Sequence, residues 1–476
     1  MLGRTLLRRS GEGPGGASVA SGALLDPLPE SPWLRRSTNR QPNPLVLGIL
    51  ASGVAVAALV NPKLPGHSGP VDVIMLAGIF AVGLWALRTR AIVRLPFAVA
   101  MAGLMITGLM AGLFSAYPTD GLTAVTQEIF LLLWCGSVAT VCRTPWALGV
   151  VLRTWVASAV AWAVLLIATE LLHLHSVAGQ PLVGRSGATG GTRAQLFFDQ
   201  PNMAGNYFMI AVFLLIASGW PRRVWVRVGA CLILLTAQFL TGSNAALLSL
   251  IVGGVLTLFL QLRTKHGLVK AIAFTTAMAA VLGAGAITVV PTVVSYAQSS
   301  NNSLLQNSVG RSARSAVARQ SLFAWQFKLY EEGDLIGIGP NGTQQALGAQ
   351  AAPAVKEAHN DYLGTLVERG PFGLAALALL LATVISRVVR FSGRQPPARL
   401  RSVLPVPGAL TGACVAFAVT AFTHEILHYR WLFTLLGLVA AVQLLTDQTG
   451  AKKGRPAAGK GSERQVVGLP TPRRVN

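Results

Sequence analysis

Twelve apolar runs divide this 476-residue chain, near 46–62, 71–87, 96–115, 122–141, 154–172, 203–219, 228–241, 245–262, 271–294, 371–386, 404–423 and 431–445. Most approach the roughly 17–25 residues that an α-helix needs to cross a bilayer. A helix satisfies its own backbone amides, which hydrocarbon leaves no water to do. The expectation is therefore an all-α polytopic membrane protein of about twelve helices. Charged residues make up only 12% of the chain, about half of what a soluble domain carries. The stretch TGSN, Thr241 to Asn244, is read as a tight hairpin between the seventh and eighth spans.

A net charge of +22 would in a soluble protein point to nucleic acid. Its distribution gives another cause, because Lys and Arg are retained on the cytosolic side during membrane insertion. With both termini placed there, the cytosolic segments hold 29 of the 39 basic residues and five of the 17 acids, so that side carries +24 and the rest −2. The excess is topological; the partners it implies are membrane lipids, with no nucleic acid. Residues 1–44 scatter arginines among Gly, Ser and Pro without the apolar core of a signal peptide, and residues 448–476 are similarly basic. Both read as disordered cytosolic tails flanking a transmembrane domain at 45–447. Cys135, Cys142, Cys231 and Cys414 lie in or beside apolar runs and read as small buried hydrophobes.

Seven of the remaining ten basic residues lie in two outer loops: Arg185 and Arg193 in 173–202, and Arg311, Arg314, Arg319, Lys328 and Lys356 in 294–362, between the ninth and tenth spans. Loops of the second one's length are commonly functional or disordered. From Arg311 to Tyr330 it contains no Gly or Pro, and Val317, Leu322, Phe323, Trp325, Phe327 and Leu329 suggest an amphipathic helix at the membrane surface. The turn GDLIGIGPNG follows, with Gly337 and Gly339 serving a tight bend, then a second flexible stretch. In HNDYLGTLVERG, Asn360 or Asp361 caps a short helix that ends near Gly370, before Pro371 opens the next span.

Glu128 and Glu170, within spans, are costly in lipid and are expected to face the bundle interior or a wet cavity. Glu425, in THEILHYR, shares the outer face. His173, His175, His424 and His428 lack Cys or carboxylate partners at ligand spacing apart from Glu425, so no metal site is expected. No Gly-rich loop follows a strand, which leaves nucleotide binding unsupported.

The segment Arg319, Phe323, Trp325 and GIGP, followed by HN-x-YL-x-x-L-x-E-x-G-x-x-GL running into a span, resembles the signature of the O-antigen ligase and polymerase superfamily of membrane glycosyltransferases. In RAQLFFDQPN, Arg193 precedes Asn202 by nine residues with Phe198 between them, which is similar to a second family pattern. The likeness covers roughly Arg185 to Leu445. The family usually has Gly where Leu196 stands, Trp at Phe323, and Ser-Arg at Ser243-Asn244.

The resemblance implies a GT-C-like fold and transfer of a glycan from a polyprenyl-diphosphate carrier to a glycan or glycolipid acceptor, outside the cytoplasmic membrane, with neither metal nor nucleotide cofactor. The residues suit that chemistry. A departing diphosphate needs fixed cations, and arginine's planar fork matches phosphate oxygens, so Arg193 and Arg319 are the expected clamp. An attacking hydroxyl needs a proton acceptor, which a histidine supplies near neutral pH; His359 is the candidate. Asn202, Asn360, Tyr362, Arg311, Arg314 and Glu425 complete the candidate binding set. Glu425, Glu128 and Glu170 are alternative bases. A transporter or flippase of lipid-linked glycans would share the helix count and interior charges, but no internal repeat is evident and the polar weight lies in outer loops.

If the partition of charge sets the topology, a cysteine at Ser303 reacts with an impermeant thiol reagent in intact cells and one placed in the C-terminal tail does not. The opposite pattern would invert the chain.

Overall fold

The computed structural model describes residues 41–61, 69–177, 180–185, 192–300, 306, 312–350, 359–393 and 395–453. Twelve apolar helices occur where the twelve runs stand: α1 (Pro44–Ala55), α2 (Pro70–Thr89), α3 (Ala98–Phe114), α4 (Pro118–Val141), α5 (Pro145–Leu171), α6 (Pro201–Ser218), α7 (Val224–Leu240), α8 (Asn244–His266), α9 (Leu268–Ser299), α12 (Asp361–Ser392), α14 (Gly408–Ala421) and α15 (Arg430–Lys453). Eight are long and apolar enough to cross a membrane; α1, α3, α7 and α14 are shorter. Among the described residues three further helices, α10 (Ser312–Glu331), α11 (Thr343–Ala349) and α13 (Ala398–Arg401), lie in the connections. The protein is an all-α polytopic membrane protein.

The chain marks its helix starts chemically. Proline occupies the first turn of α1, α2, α4, α5 and α6, where its missing N–H costs nothing. Asn43, Thr144, Ser243 and Asn360 accept backbone N–H groups two or three residues on, which satisfies donors that the first turn leaves open. Lipid supplies no hydrophobic drive for helix pairing, so contact area, small residues and interhelical hydrogen bonds hold such a bundle. Accordingly α8 and α14, the most extensively paired helices, approach at Gly253 and Gly412, where an added Cβ would fall 2.4–2.5 Å from the opposite carbonyl oxygen. Tryptophans bind across the bundle: the buried Trp134 to Thr434 at 2.8 Å, the half-buried Trp162 to the Ala55 carbonyl at 2.8 Å and the buried Trp431 to Asn206 at 2.9 Å. α6 is buried along nearly its whole length, whereas α9 packs chiefly on α8 and exposes its other faces.

The connections that charge places outside meet at one end of the bundle. Gln345 on α11 bonds Asp120 on α4 at 2.9 Å, Arg193 bonds the carbonyl of Thr241, and Asp361 bonds the amide of Ile426. Arginine-bearing connections join the helices elsewhere: Arg94 to Thr140, Arg227 to Gly219, and Arg399 to Leu445.

Several local expectations change. The expected tight hairpin at TGSN is a short turn through Gly242 (φ 58°) whose two helices splay apart, since α7 packs on α5 and α6 while α8 packs chiefly on α14 and α9. Loop 173–202 contains two short antiparallel ladders, β1 (Ser176–Val177) with β2 (Gln180–Pro181) and β3 (Val183–Arg185) with β4 (Thr192–Ala194). α11 interrupts a stretch expected to be flexible, α9 continues to Ser299, and α15 continues to Lys453, beyond the expected start of the tail. The rest of both tails, 301–305, 307–311 and 351–358, including Arg311 and Lys356, lie outside the described residues.

The expected end of the short helix near Gly370 is a kink, with Gly370 at φ 65° and ψ −171° inside α12. A Cβ there would lie 1.8 Å from the Leu335 carbonyl oxygen. Gly370→Ala is expected to lower stability by more than about 1 kcal/mol, since it combines a left-handed backbone with a backbone clash. Gly254→Ala, at a position with open space around it, is expected to be neutral. Thermal unfolding in detergent compares the two.

Candidate active site

HNDY, at the start of α12, and residues 422–430, between α14 and α15, build one site against each other. His359 has φ 52°, a left-handed conformation that a histidine tolerates better than most side chains, and Asn360 then turns to extended backbone. The Asn360 side chain accepts N–H of Tyr362 at 2.9 Å and of Leu363 at 3.1 Å, so it is the helix cap. Asp361 points the other way. Its buried carboxylate accepts the amides of Ile426 at 2.9 Å and Leu427 at 3.5 Å, stitching the two segments together. Tyr362 donates to the Ala418 carbonyl at 2.9 Å and packs on Phe422 at 4.4 Å between centroids. These bonds bring the half-buried His359 ring to 5.9 Å from that of His424, edge to face, with Glu425 next in the chain. His424 Nδ1 in turn lies 3.0 Å from the Thr423 hydroxyl.

Beneath this layer lies an ion pair that the sequence did not announce. Arg369, at the end of the short helix before the kink, donates through both terminal nitrogens to Glu128 on α4, and through Nη1 to the Leu104 carbonyl at 2.7 Å. His428 Nε2 lies 3.3 Å from the same Glu128 oxygen. Arginine and glutamate are both about 3% exposed. Glu128 thus faces the interior, as its cost in lipid demanded. Glu170 stays half-buried at the end of α5. A further pair, Arg430 with Asp72, joins the start of α15 to the start of α2.

Arg193 lies in β4 opposite Gly184. Its buried guanidinium donates to the Thr241 carbonyl and to Asn202 Oδ1, each at 2.8 Å. The nine-residue spacing therefore has a physical content: the arginine reaches the first turn of its own following helix and the TGSN turn together. Phe198, between them, is fully buried against Tyr207, Phe208 and Trp431. Leu196 adopts φ 54°, the left-handed geometry that a glycine at this position takes without cost. Trp431 and Asn206 link this group to residues 422–430.

Arg319 stands one turn before Leu322 on α10, which packs on the first half of α12 through Leu322, Leu329, Leu363 and Val367. Leu363 and Leu366 are therefore claimed by α10 rather than by lipid. The GIGP turn docks on the same helix end, Ile338 N–H on the Val367 carbonyl at 3.1 Å and Gly339 N–H on that of Glu368 at 3.0 Å. Partial burial lowers the pKa of Arg319 from its ordinary value, and among the described residues no carboxylate pairs with it. A half-desolvated guanidinium of this kind favours an anion. Arg314 lies in the first turn of α10. Among the described residues no group of His, Cys, Asp or Glu has metal-binding geometry.

Lined in part by Asp361 and Tyr362, a small apolar cleft of about 60 Å³ opens between α12, α14 and α15. Leu377, Leu380, Phe417, Leu432 and Leu435 line its walls, and Ile426 and Leu427 share its rim. Asp361 and Tyr362, which follow His359 and Asn360 in the chain, and Ile426 and Leu427, which follow His424 and Glu425, belong to the cleft lining.

The sequence model of the O-antigen ligase family matches residues 229–378, from α7 through the first half of α12, and supports the O-antigen ligase and polymerase superfamily. The match contains Arg319, His359, Asn360 and Tyr362; Arg193, Asn202 and Glu425 lie outside it. No curated protein matches the chain significantly. At a coarse level the family supports glycan transfer of the ligase or polymerase kind.

Removing one partner of a buried ion pair leaves the other charge uncompensated, at about 3–5 kcal/mol. Glu128→Ala and Arg369→Ala are each expected to lower thermal stability by that order. The double variant Glu128→Leu/Arg369→Met is expected to be milder than either, because neither charge remains. Unfolding in detergent measures all three.

Proposed function

We propose that this protein, in which residues 229–378 match the O-antigen ligase family, transfers a glycan from a polyprenyl-diphosphate carrier to an acceptor hydroxyl, at the outer face of the cytoplasmic membrane. The observation that carries the reading is the two-natured site. His359, His424 and Glu425 adjoin in the chain the residues Asp361, Tyr362, Ile426 and Leu427, which help to line an apolar cleft. A donor that is half polar and half hydrocarbon fits both parts, with its chain in the cleft and its diphosphate and sugar above.

In this scheme the acceptor oxygen bonds to the anomeric carbon as the bond from that carbon to the diphosphate oxygen breaks. The hydroxyl proton passes to His359, and the bonding electron pair leaves with the diphosphate. Arg319 and Arg193 hold that charge. Arg193 is pre-oriented by Thr241 and Asn202, which reduces the reorganisation required as charge develops. Asn202 and Asn360 act through position, Tyr362 shapes the cleft, and the charges of Arg311 and Arg314 are assigned to donor binding. Glu425 is the reserve base. None of these roles calls for a metal ion.

His359→Asn is the most discriminating variant, since asparagine tolerates the left-handed backbone and cannot serve as a base at neutral pH. Transfer by purified protein in liposomes is expected to be lost while binding of the lipid-linked donor persists; transfer at the wild-type rate would remove His359 from the mechanism. Arg319→Lys keeps the charge and loses the fork. It is expected to lower turnover toward the roughly 100- to 1,000-fold loss that follows removal of one oxyanion contact.

A further inference from the structure

At the arginine-rich end of the bundle, away from the candidate active site, a second open cavity of about 250 Å³ lies between the last turns of α8, the end of α12 and the linker that carries α13 into α14. Its floor is apolar, built by Leu260, Pro407 and Gly408. Its rim is polar and cationic. Lys265 and Arg401 contribute charge, and Gln261, Thr264, Ser392 and Gln395 contribute hydrogen-bonding groups. Arg401 donates to Gln395 at 3.3 Å, which holds both side chains across the linker, and Arg263 lies beside Gly393.

Membrane insertion accounts for cations at this end of the bundle but not for their arrangement around a concave pocket. Among the described residues no acidic side chain lines it. Arg401 and Lys265 are exposed while Leu260 is buried, so the pocket runs from an apolar floor to a cationic rim. It also lies where spanning helices end, the level at which phosphodiesters of the surrounding bilayer sit. Basic pockets between helices at this level suit anionic headgroups.

We infer that this cavity binds the headgroup of an anionic phospholipid, with the phosphodiester between Lys265 and Arg401 and the acyl chains passing over Leu260 along α8. The site is independent of glycan transfer.

The test uses the full-length chain, purified in detergent and mixed with phosphatidylglycerol or phosphatidylcholine, with retained lipids counted by native mass spectrometry. At least one phosphatidylglycerol is expected to remain bound where phosphatidylcholine does not. Two surface cations contribute about fivefold each, so Lys265→Gln/Arg401→Gln is expected to weaken retention roughly 20-fold. The pair Arg222→Gln/Arg223→Gln, which removes the same charge from exposed positions between α6 and α7, is expected to leave retention unchanged. Equal retention of the two lipids, equal loss in both double variants, or displacement by equimolar inorganic phosphate would each overturn the assignment. The readout involves no donor or acceptor, so it succeeds or fails separately from the transfer reaction.

Discussion

A carboxylate inside a membrane bundle is tolerable only with a partner, and Glu128 has two. Arg369 and His428 converge on it from α12 and from the segment before α15. Three parts of the chain are thereby fixed in one arrangement at the level of the polar cluster. The cost of separating them is the cost of a bare buried charge, which makes the arrangement all-or-none. His359 stands at the start of the short helix that ends at Arg369, and His424 stands four residues before His428, so the geometry of the candidate site is inherited from this pair.

The surrounding bonds act on the same pieces. Asp361 holds the amides of Ile426 and Leu427, Trp431 holds Asn206, and Arg193 holds both the start of α6 and the TGSN turn. Most of them join elements far apart in sequence, at places where helices end and backbone groups need partners. The kink at Gly370 then lets α12 change direction between its short loop-facing part and its spanning part, so that one helix carries both the rim of the site and the wall of the cleft.

Much of this was legible in the sequence because local chemistry wrote it. The twelve apolar runs, the Gly- and Pro-free stretch that became α10, the cap at Asn360 and the stop at Gly370 before Pro371 all depend on residues within a turn or two of one another. What was not legible depends on distance. Arg369 was an unremarkable basic residue until α4 brought Glu128, 241 positions away, against it. The same holds for Leu363 and Leu366, whose apolar character is equally consistent with facing lipid and with facing α10. At TGSN, turn chemistry reports the turn but not which neighbours the flanking helices choose. Leu196 shows the converse: a departure from the family's glycine keeps the left-handed backbone and changes only the side chain that fills it.

The central claim is that the polar cluster and the cleft together break the bond between a glycan and its lipid carrier. The most direct measurement places the purified protein in liposomes with a polyprenyl-diphosphate-linked oligosaccharide and a hydroxyl-bearing acceptor, and follows both products. The account predicts one molecule of free carrier diphosphate for each glycan joined to acceptor. Movement of intact donor across the bilayer without cleavage would contradict it and identify the protein as a transporter.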